Sequence, residues 1–500
     1  KGRKPMRLFG RWKRAAVGAA SVVAAMALAT GCGKKASSPD QRYKEAEQKQ
    51  VKEFTTQFTG AYETTRDKLA SDKVQSGSGD IVITLEDGGK STLSALMGGT
   101  DLSWIKTLGM KMSAKIGKSA LEESIALSLN DKALGTMNLV MSDNDLYLQI
   151  PELADKYMHI PGSALGDSAS FGEMMGEYKK LPEGKKLDEL VTNYTKIITD
   201  AAKDVKESKE DVTVGDYTVN ATKLEATFDG EQLTELGKKI VETAKNDQNL
   251  ADIIKASTDE ATYEKFKESL EKEGEQKLEG KLVSTIWLGE GDKVIARELR
   301  IENANASENY VFTMKAPNKG EEFASEITFS EDGNELFRVD GKGKNNGKKM
   351  SGEFTFTQEG SKVAVLTLDE LDLEALKKSE LTAKGSVRLE SESSSSMMDL
   401  SAFAIDFDLA ETAKSTKGTV ALKSGDTPYV TIAIDTTRGE GGEEPSAPSD
   451  IVDVSDDASF EAFMKGANWS GYLGQLRQTD IPSNYLDMLE QSLKASGMMQ

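Results

Sequence analysis

Cysteine and histidine are almost missing from this chain, which has one of each, Cys32 and His159, in 500 residues. One cysteine excludes an intrachain disulfide, and the pair is too few for a zinc site of thiolates and imidazoles. A lone histidine leaves little for Ser-His-Asp catalysis, and no Gly-x-Ser-x-Gly elbow accompanies it. In Tyr157-Met158-His159-Ile160-Pro161 it reads as a satisfied structural side chain. P-loop and Rossmann glycine patterns are missing too. Tryptophan is scarce, with four residues, so aromatic platforms for sugars are few. After residue 30 no apolar run is long enough for a membrane-crossing helix. Bases are in deficit, 63 against 83 acids, for a net charge of -20. Such a surface repels polyanions, so nucleic acid is not expected as a partner. Nor does it offer a basic face to anionic headgroups.

The bases that exist are unevenly placed. Residues 1–31 hold seven of them and no acid; without that stretch 56 bases face 83 acids, near -27. Ala15–Thr30 follows without a charge, an h-region short for a spanning helix. It ends Leu28-Ala29-Thr30-Gly31-Cys32-Gly33, small residues before the one thiol. The pattern resembles the lipobox of bacterial lipoproteins, with Ala29 where the commonest form has Leu. The resemblance implies a signal peptide over 1–31, diacylglycerol on Cys32 and an extracytoplasmic, membrane-anchored body. Two acyl chains anchor stably at about 0.8 kcal/mol per buried methylene. Residues 32–40 then form a polar tether.

The body is expected over 41–435 as α+β: a curved, half-barrel-like antiparallel sheet packed with helices. Residues 41–70 carry Val51, Phe54, Phe58, Tyr62 and Leu69 near a 3.6 period, which predicts an amphipathic helix. Alternation in Asp80–Leu85, Met110–Ile116, Ile125–Leu129, Met137–Val140 and Leu146–Ile150 predicts a meander with one wet face. Leu187–Lys209, Gly230–Asn246 and Asn249–Glu273 read as helices. Strand candidates resume at Lys281–Leu288 and recur at short intervals to Tyr429–Asp435. Gly135–Leu139 with Leu146–Ile150 echoes Gly418–Leu422 with Tyr429–Ile434, so a duplicated sheet is one expectation. Residues 436–458 read as an acidic Gly/Pro/Ser linker, and 459–500 as a helical segment.

This layout, with Asp145-Leu146-Tyr147-Leu148-Gln149-Ile150-Pro151 in the meander and Phe228-Asp229-Gly230-Glu231-Gln232-Leu233 opening the helices, resembles uncharacterised surface lipoproteins of Gram-positive bacteria. It is also similar to the LolA/LppX-type fold. That resemblance is one of pattern and carries no site residue across. It implies an acyl chain or other apolar ligand held between sheet and helices. A structural or interaction lipoprotein with a filled core is the alternative, and a carboxylate-based cell-wall hydrolase the second. An enzyme is not the favoured reading: no catalytic, cofactor-binding or metal-ligating residue is assigned. Asp143-Asn144-Asp145 and Glu331-Asp332-Gly333-Asn334 suit calcium by composition but fit hairpin turns better.

Overall fold

The computed structural model describes residues 38–500 apart from 165–180, 303–308, 391–401 and a few isolated positions. The expected signal peptide and Cys32 lie outside the described residues. No described helix is long and apolar enough to cross a membrane.

The chain is α+β, built on open, curved, mostly antiparallel sheet structure, as the alternation of its strands implies. It divides into two compact units. The first comprises Lys1–Glu63, Pro182–Lys378 and Val387–Ser401; the second comprises Thr64–Leu181, Ser379–Ser386 and Ala402–Gln500. Helix α1 (Pro39–Leu69) begins in the first.

In the second unit, β1 (Gln75–Leu85), β2 (Thr107–Ile116), β3 (Ala120–Leu129), β4 (Lys132–Ser142), β5 (Asp145–Gln149) and β6 (Tyr157–Ile160) form an antiparallel meander. Helix α2 (Asp87–Leu96) is inserted after β1. Strand β17 (Leu381–Leu389) precedes a second run, β18 (Phe403–Glu411), β19 (Ser415–Ser424) and β20 (Thr427–Glu440), and β20 pairs with β1. Turns are set by local chemistry. Asn130 and Asp131 both take positive φ, 50° and 65°, between β3 and β4, as a tight hairpin requires. Strand β21 (Ile451–Asp453) adds in parallel to β6, followed by α8 (Asp457–Gly466), α9 (Trp469–Leu476) and α10 (Ser483–Ala495). Both echoing hairpins form, as β4–β5 and β19–β20, and both belong to this one unit.

The first unit carries β7 (Lys206–Val214), β8 (Tyr217–Phe228), β9 (Lys281–Leu288), β10 (Val294–Glu302) and β11 (Tyr310–Lys315). It continues through the short β12 (Asn318–Lys319) to β13 (Glu322–Glu331), β14 (Asn334–Asn345), β15 (Lys349–Gln358) and β16 (Ser361–Asp372). Helices α3 (Gly184–Ala201), α4 (Gly230–Asn246), α5 (Gln248–Ser257), α6 (Glu260–Gly274) and α7 (Leu373–Lys377) belong to it. Helix α4 starts where it does because Asp229 and Gln232 cap each other: each side chain accepts the other's backbone N–H, at 2.9 and 3.0 Å. The core holds Leu224, Phe228, Ile286, Leu288, Ile327 and Val339, each at most 2% exposed. The other sheet face buries Val212, Ala221, Trp287, Ile295 and Ala296 together.

Three expectations are corrected. The helix expected to reach Lys209 ends at Ala201, and 206–214 is a strand. Its two valines, Val212 and Val214, are buried among exposed charges, and the pairing with β8 outweighs the helical propensity of Lys and Glu. The single helix expected over 249–273 is two, α5 and α6. Helix α1 forms over the expected stretch, and Tyr43, Glu47, Thr55 and Thr59 are buried on it while Phe54 is 43% exposed. Finally, β20 runs past Asp435 to Glu440 and β21 lies inside the expected linker. Hydrogen bonding to Ser76 and Gln75 of β1 extends the first, and the edge of β6 recruits the second.

Candidate ligand-binding face

Residues directly opposite in an antiparallel pair share a face. On β20, Val430, Ile432 and Ile434 lie opposite Leu85, Ile83 and Ile81 of β1. Ile83 and Ile81 lie opposite Leu108 and Met110 of β2. Met110 and Met112 face Leu127 and Ile125 of β3, and Ile125 faces Met137 of β4. In the other direction Ile432 and Val430 meet Val420 and Leu422 of β19, which meet Phe407 and Ile405 of β18. Seven strands therefore present one continuous apolar face. Its opposite side is polar, with ion pairs such as Lys417–Asp435 at 3.0 Å and Lys423–Asp406.

This face is not closed. Ile405, Leu108, Leu127 and Met137 are 41%, 42%, 46% and 36% exposed, and the other apolar residues just named are half-buried. At 3.4 Å per residue, Val430–Ile434 measures roughly 14 Å; seven strands at 4.8 Å span roughly 29 Å. That rectangle of sheet is on the order of 400 Å², within the roughly 300–600 Å² of the largest apolar patch on a typical monomer, a patch that is often functional. One end carries Arg438, bonded to Glu411 at 3.1 Å and to Thr416 at 3.0 Å. At the other end α2 closes on Tyr429. A Cβ at Gly89 would stand 2.2 Å from the Tyr429 carbonyl oxygen, so only glycine permits the approach.

In the first unit α1 meets the sheet through polar groups. The Tyr43 hydroxyl donates to Ser284 Oγ at 2.8 Å, and Arg297 donates to Glu47 at 2.7 Å. Glu47 is 5% exposed and its Oε1 has no hydrogen-bond partner. Burial, then the Glu47 charge, push the Tyr43 hydroxyl far above its ordinary ionisation range. Burial likewise lowers Lys293, against the opposing pull of Glu53. An open surface depression on α3, α4 and α5 is lined by polar residues that include Asn193, Glu242, Asp247 and Asn249. The helices expected to roof an apolar ligand thus belong to the unit whose sheet face is already buried.

His159 is held as a structural residue would be. Its Nε2 lies 2.9 Å from Asp145 Oδ2, and its ring stacks on Tyr147 with centroids 5.0 Å apart. The Gly162 N–H, then the imidazole, hold the Asp145 carboxyl below its usual range. Of the two calcium candidates, Asp143 lies outside the described residues. Asp332 and Gly333 form a positive-φ hairpin turn, 50° and 79°. Among the described residues no group of three or more His, Cys, Asp or Glu is arranged to hold a metal ion. Alternation located the apolar strands of the candidate face, but which face stays open had no sequence signal of its own.

No family model matches the chain, and no curated protein matches it. Solved structures similar to it include one described as "Asymmetric conductivity of engineered proteins", at 5% identity and TM-score 0.15, over 74% of this chain and 100% of that one. Another is "The Structure of Intact Ap-TbpB (N and C lobes)", at 8% identity and TM-score 0.09, over 74% of this chain and 78% of that one. Scores this low carry no argument about fold or function.

Proposed function

We propose that the chain is a lipid-anchored extracytoplasmic lipoprotein, held in the bacterial cell membrane through diacylglycerol on Cys32, and that it binds an acyl chain on the apolar face of β18–β19–β20–β1–β2–β3–β4. The observation that carries the ligand reading is that face, apolar across seven strands with Leu127 46% exposed. Its roughly 14 Å apolar length along the strands suits one acyl chain, which spans half of a bilayer's ~30 Å hydrocarbon core. Leucine, isoleucine and methionine gain by leaving water at about 25 cal/mol per Å². The methionines Met110, Met112 and Met137 adapt to a flexible chain. The anchor reading rests on the small residues before the lone cysteine.

Mass spectrometry of lipid extracted from the purified protein, with titration of a fluorescent fatty acid, tests the ligand. Ile432→Asp, in mid-face, should cut binding at least tenfold while the first unit keeps its stability. Absence of bound lipid together with no binding at micromolar protein would leave a structural or interaction lipoprotein as the better account. The filled core of the first unit already suits that role. The anchor is tested separately: Cys32→Ala should abolish lipidation, and a cleaved mutant that still partitions into detergent would refute the assignment.

A further inference from the structure

The apolar face of the second unit ends on a cation. Arg438 of β20 lies opposite Gly77 of β1, on the same side of the sheet as Ile434, Ile432 and Val430. Its Nη1 and Nη2 both donate to one oxygen of Glu411, each at 3.1 Å, and Nη2 also donates to the Thr416 hydroxyl at 3.0 Å. Thr416 is paired with Glu411 on one side and with Thr436 on the other. The guanidinium is therefore held level with Thr436, two residues or roughly 7 Å short of Ile434. A guanidinium has five N–H groups; here Nε–H and the second N–H of Nη1 have no acceptor among the described residues. The Thr416 hydroxyl, an acceptor from Nη2, likewise keeps its own hydrogen to donate. The Arg438 and Glu411 side chains are each 44% exposed, so a ligand can reach them. At the same level β1 carries no side chain. Gly79 lies opposite Thr436, and a Cβ there would stand 2.5 Å from Thr436 Cγ2. With Gly77 it leaves bare strand beside the guanidinium, the opening that glycine in a strand gives to a closely approaching ligand. The charges nearby suit an anion. Lys414, whose carbonyl accepts the Arg438 backbone N–H at 2.7 Å, has no carboxylate partner among the described residues. Glu440 is paired with Lys73 at 2.8 Å. Glu123 of β3 stands three strands away, roughly 14 Å.

We infer that Arg438 selects the head of the ligand: the face takes a free fatty acid, with its carboxylate at the guanidinium and its tail along Ile434–Val430, in preference to a neutral acyl ester. The inference rests on the acyl-binding reading of the face and adds the chemistry of the head. A carboxylate is acceptor-only and matches the donors left over at this corner, Nε–H and the Thr416 hydroxyl, in charge-assisted hydrogen bonds. An ester offers a weaker acceptor without charge. The lengths agree as well. A head held level with Thr436 leaves the roughly 14 Å from Ile434 to Val430 for the tail. The reverse orientation would place the carboxylate beside Tyr429 and α2, and it would lay methylenes against the guanidinium.

Competition against a fluorescent fatty acid on the full chain tests it, at about pH 8 where a carboxylate is ionised. Dodecanoate should bind about tenfold tighter than its methyl ester, the worth of one charge-assisted hydrogen bond. In Arg438→Gln the two should bind alike, with the affinity for the ester unchanged. Glu411→Gln, which removes the competing carboxylate, should favour the acid by a further factor of about three. Acid and ester binding equally in the unsubstituted chain, or an acid preference that survives Arg438→Gln, overturns the role of Arg438 and leaves the face as an acyl site. If neither the probe nor either competitor binds, the acyl reading itself fails and this inference with it.

Discussion

Two isoleucines in the middle of two sheets provide a direct measure of whether the second unit's apolar face is open in solution. Ile286 of β9 is fully buried and lies between Leu224 and Arg297 in register. Ile432 of β20 is half-buried, between Ile83 and Val420. Truncation to alanine removes the same atoms at both, and the loss of strand propensity is similar. At Ile286 the lost transfer energy is joined by a cavity, for about 3–4 kcal/mol. At Ile432 the atoms are only partly withdrawn from water and leave a dent rather than a cavity, for about 1 kcal/mol. The two substitutions should therefore differ by about 2–3 kcal/mol. Because two units need not unfold together, the assay is hydrogen exchange of the slowest amides within each unit rather than one denaturation curve. Equal losses at the two sites would refute the reasoning, since they would mean that something covers Ile432 in the free protein. A saturating acyl ligand should then raise the protection of the second unit alone, by about 2.7 kcal/mol at a hundred times Kd.

Three further outcomes are expected. Arg297→Ala should cost about 3 kcal/mol by leaving Glu47 buried without its cation, and Glu47→Gln in the same chain should restore most of the loss in thermal unfolding. Burial alone would raise the Glu326 carboxyl, but Lys315 at 2.9 Å and Arg338 at 2.6 Å outweigh it and hold the group below its ordinary range. A lowered native value contributes stability that is complete above the unfolded value of about 4.3 and lost as pH falls through the native one. Glu326→Gln should therefore flatten the acid limb of the first unit's stability profile below about pH 4.3, and an unchanged limb would contradict the ion-pair assignment. Gly89→Ala should destabilise the docking of α2 by about 1–3 kcal/mol, although alanine ordinarily gains about 1 kcal/mol over glycine in a helix; a more stable variant would show that Tyr429 gives way.

Period-two alternation made the strands legible, because one substitution of register would turn every side chain to the wrong face. Ile81, Ile83 and Leu85 could be nothing else than one side of a strand, and in the structure Ile81 and Ile83 lie opposite Met110 and Leu108. The helix Gly230–Asn246 was legible from its period, and the structure adds the reciprocal cap of Asp229 and Gln232 at its start. What failed was any inference needing a partner. Apolar periodicity located α1 but could not show that the polar Tyr43, Glu47 and Gln50 face the sheet, since Arg297 and Ser284 await them across some 250 residues of chain. Lys206–Val214 carries too many charges to read as a strand until β8 supplies its ladder. Helix α2 went unread because Gly88 and Gly89 signal a turn; their purpose is the close approach to β20.

The difference between the two sheet faces has a cause in where helices enter the chain. Between β8 and β9 the first unit inserts three helices, α4, α5 and α6, whose buried residues include Leu236, Ala244, Ala251 and Tyr263. Helix α4 packs on β8 and β9 while α5 and α6 pack on α3 and α4, and Leu224, Ile286 and Phe228 fall to 1% exposure or less. Between β1 and β2 the second unit inserts only the ten residues of α2, and Leu93, Leu96 and Met97 there are 39%, 67% and 57% exposed. The described helices after β21 reach this face only at its β4 end, where a Cβ at Gly135, opposite Leu127, would meet Tyr472 of α9 at 3.4 Å. Alternation of equal quality thus yields a closed core in one unit and an open apolar face in the other. The alternation specifies which side of a sheet must leave water; the helices inserted along the chain decide whether the protein itself provides the cover. Where it does not, the same hydrophobic driving force that closes the first unit remains available to a ligand in the second.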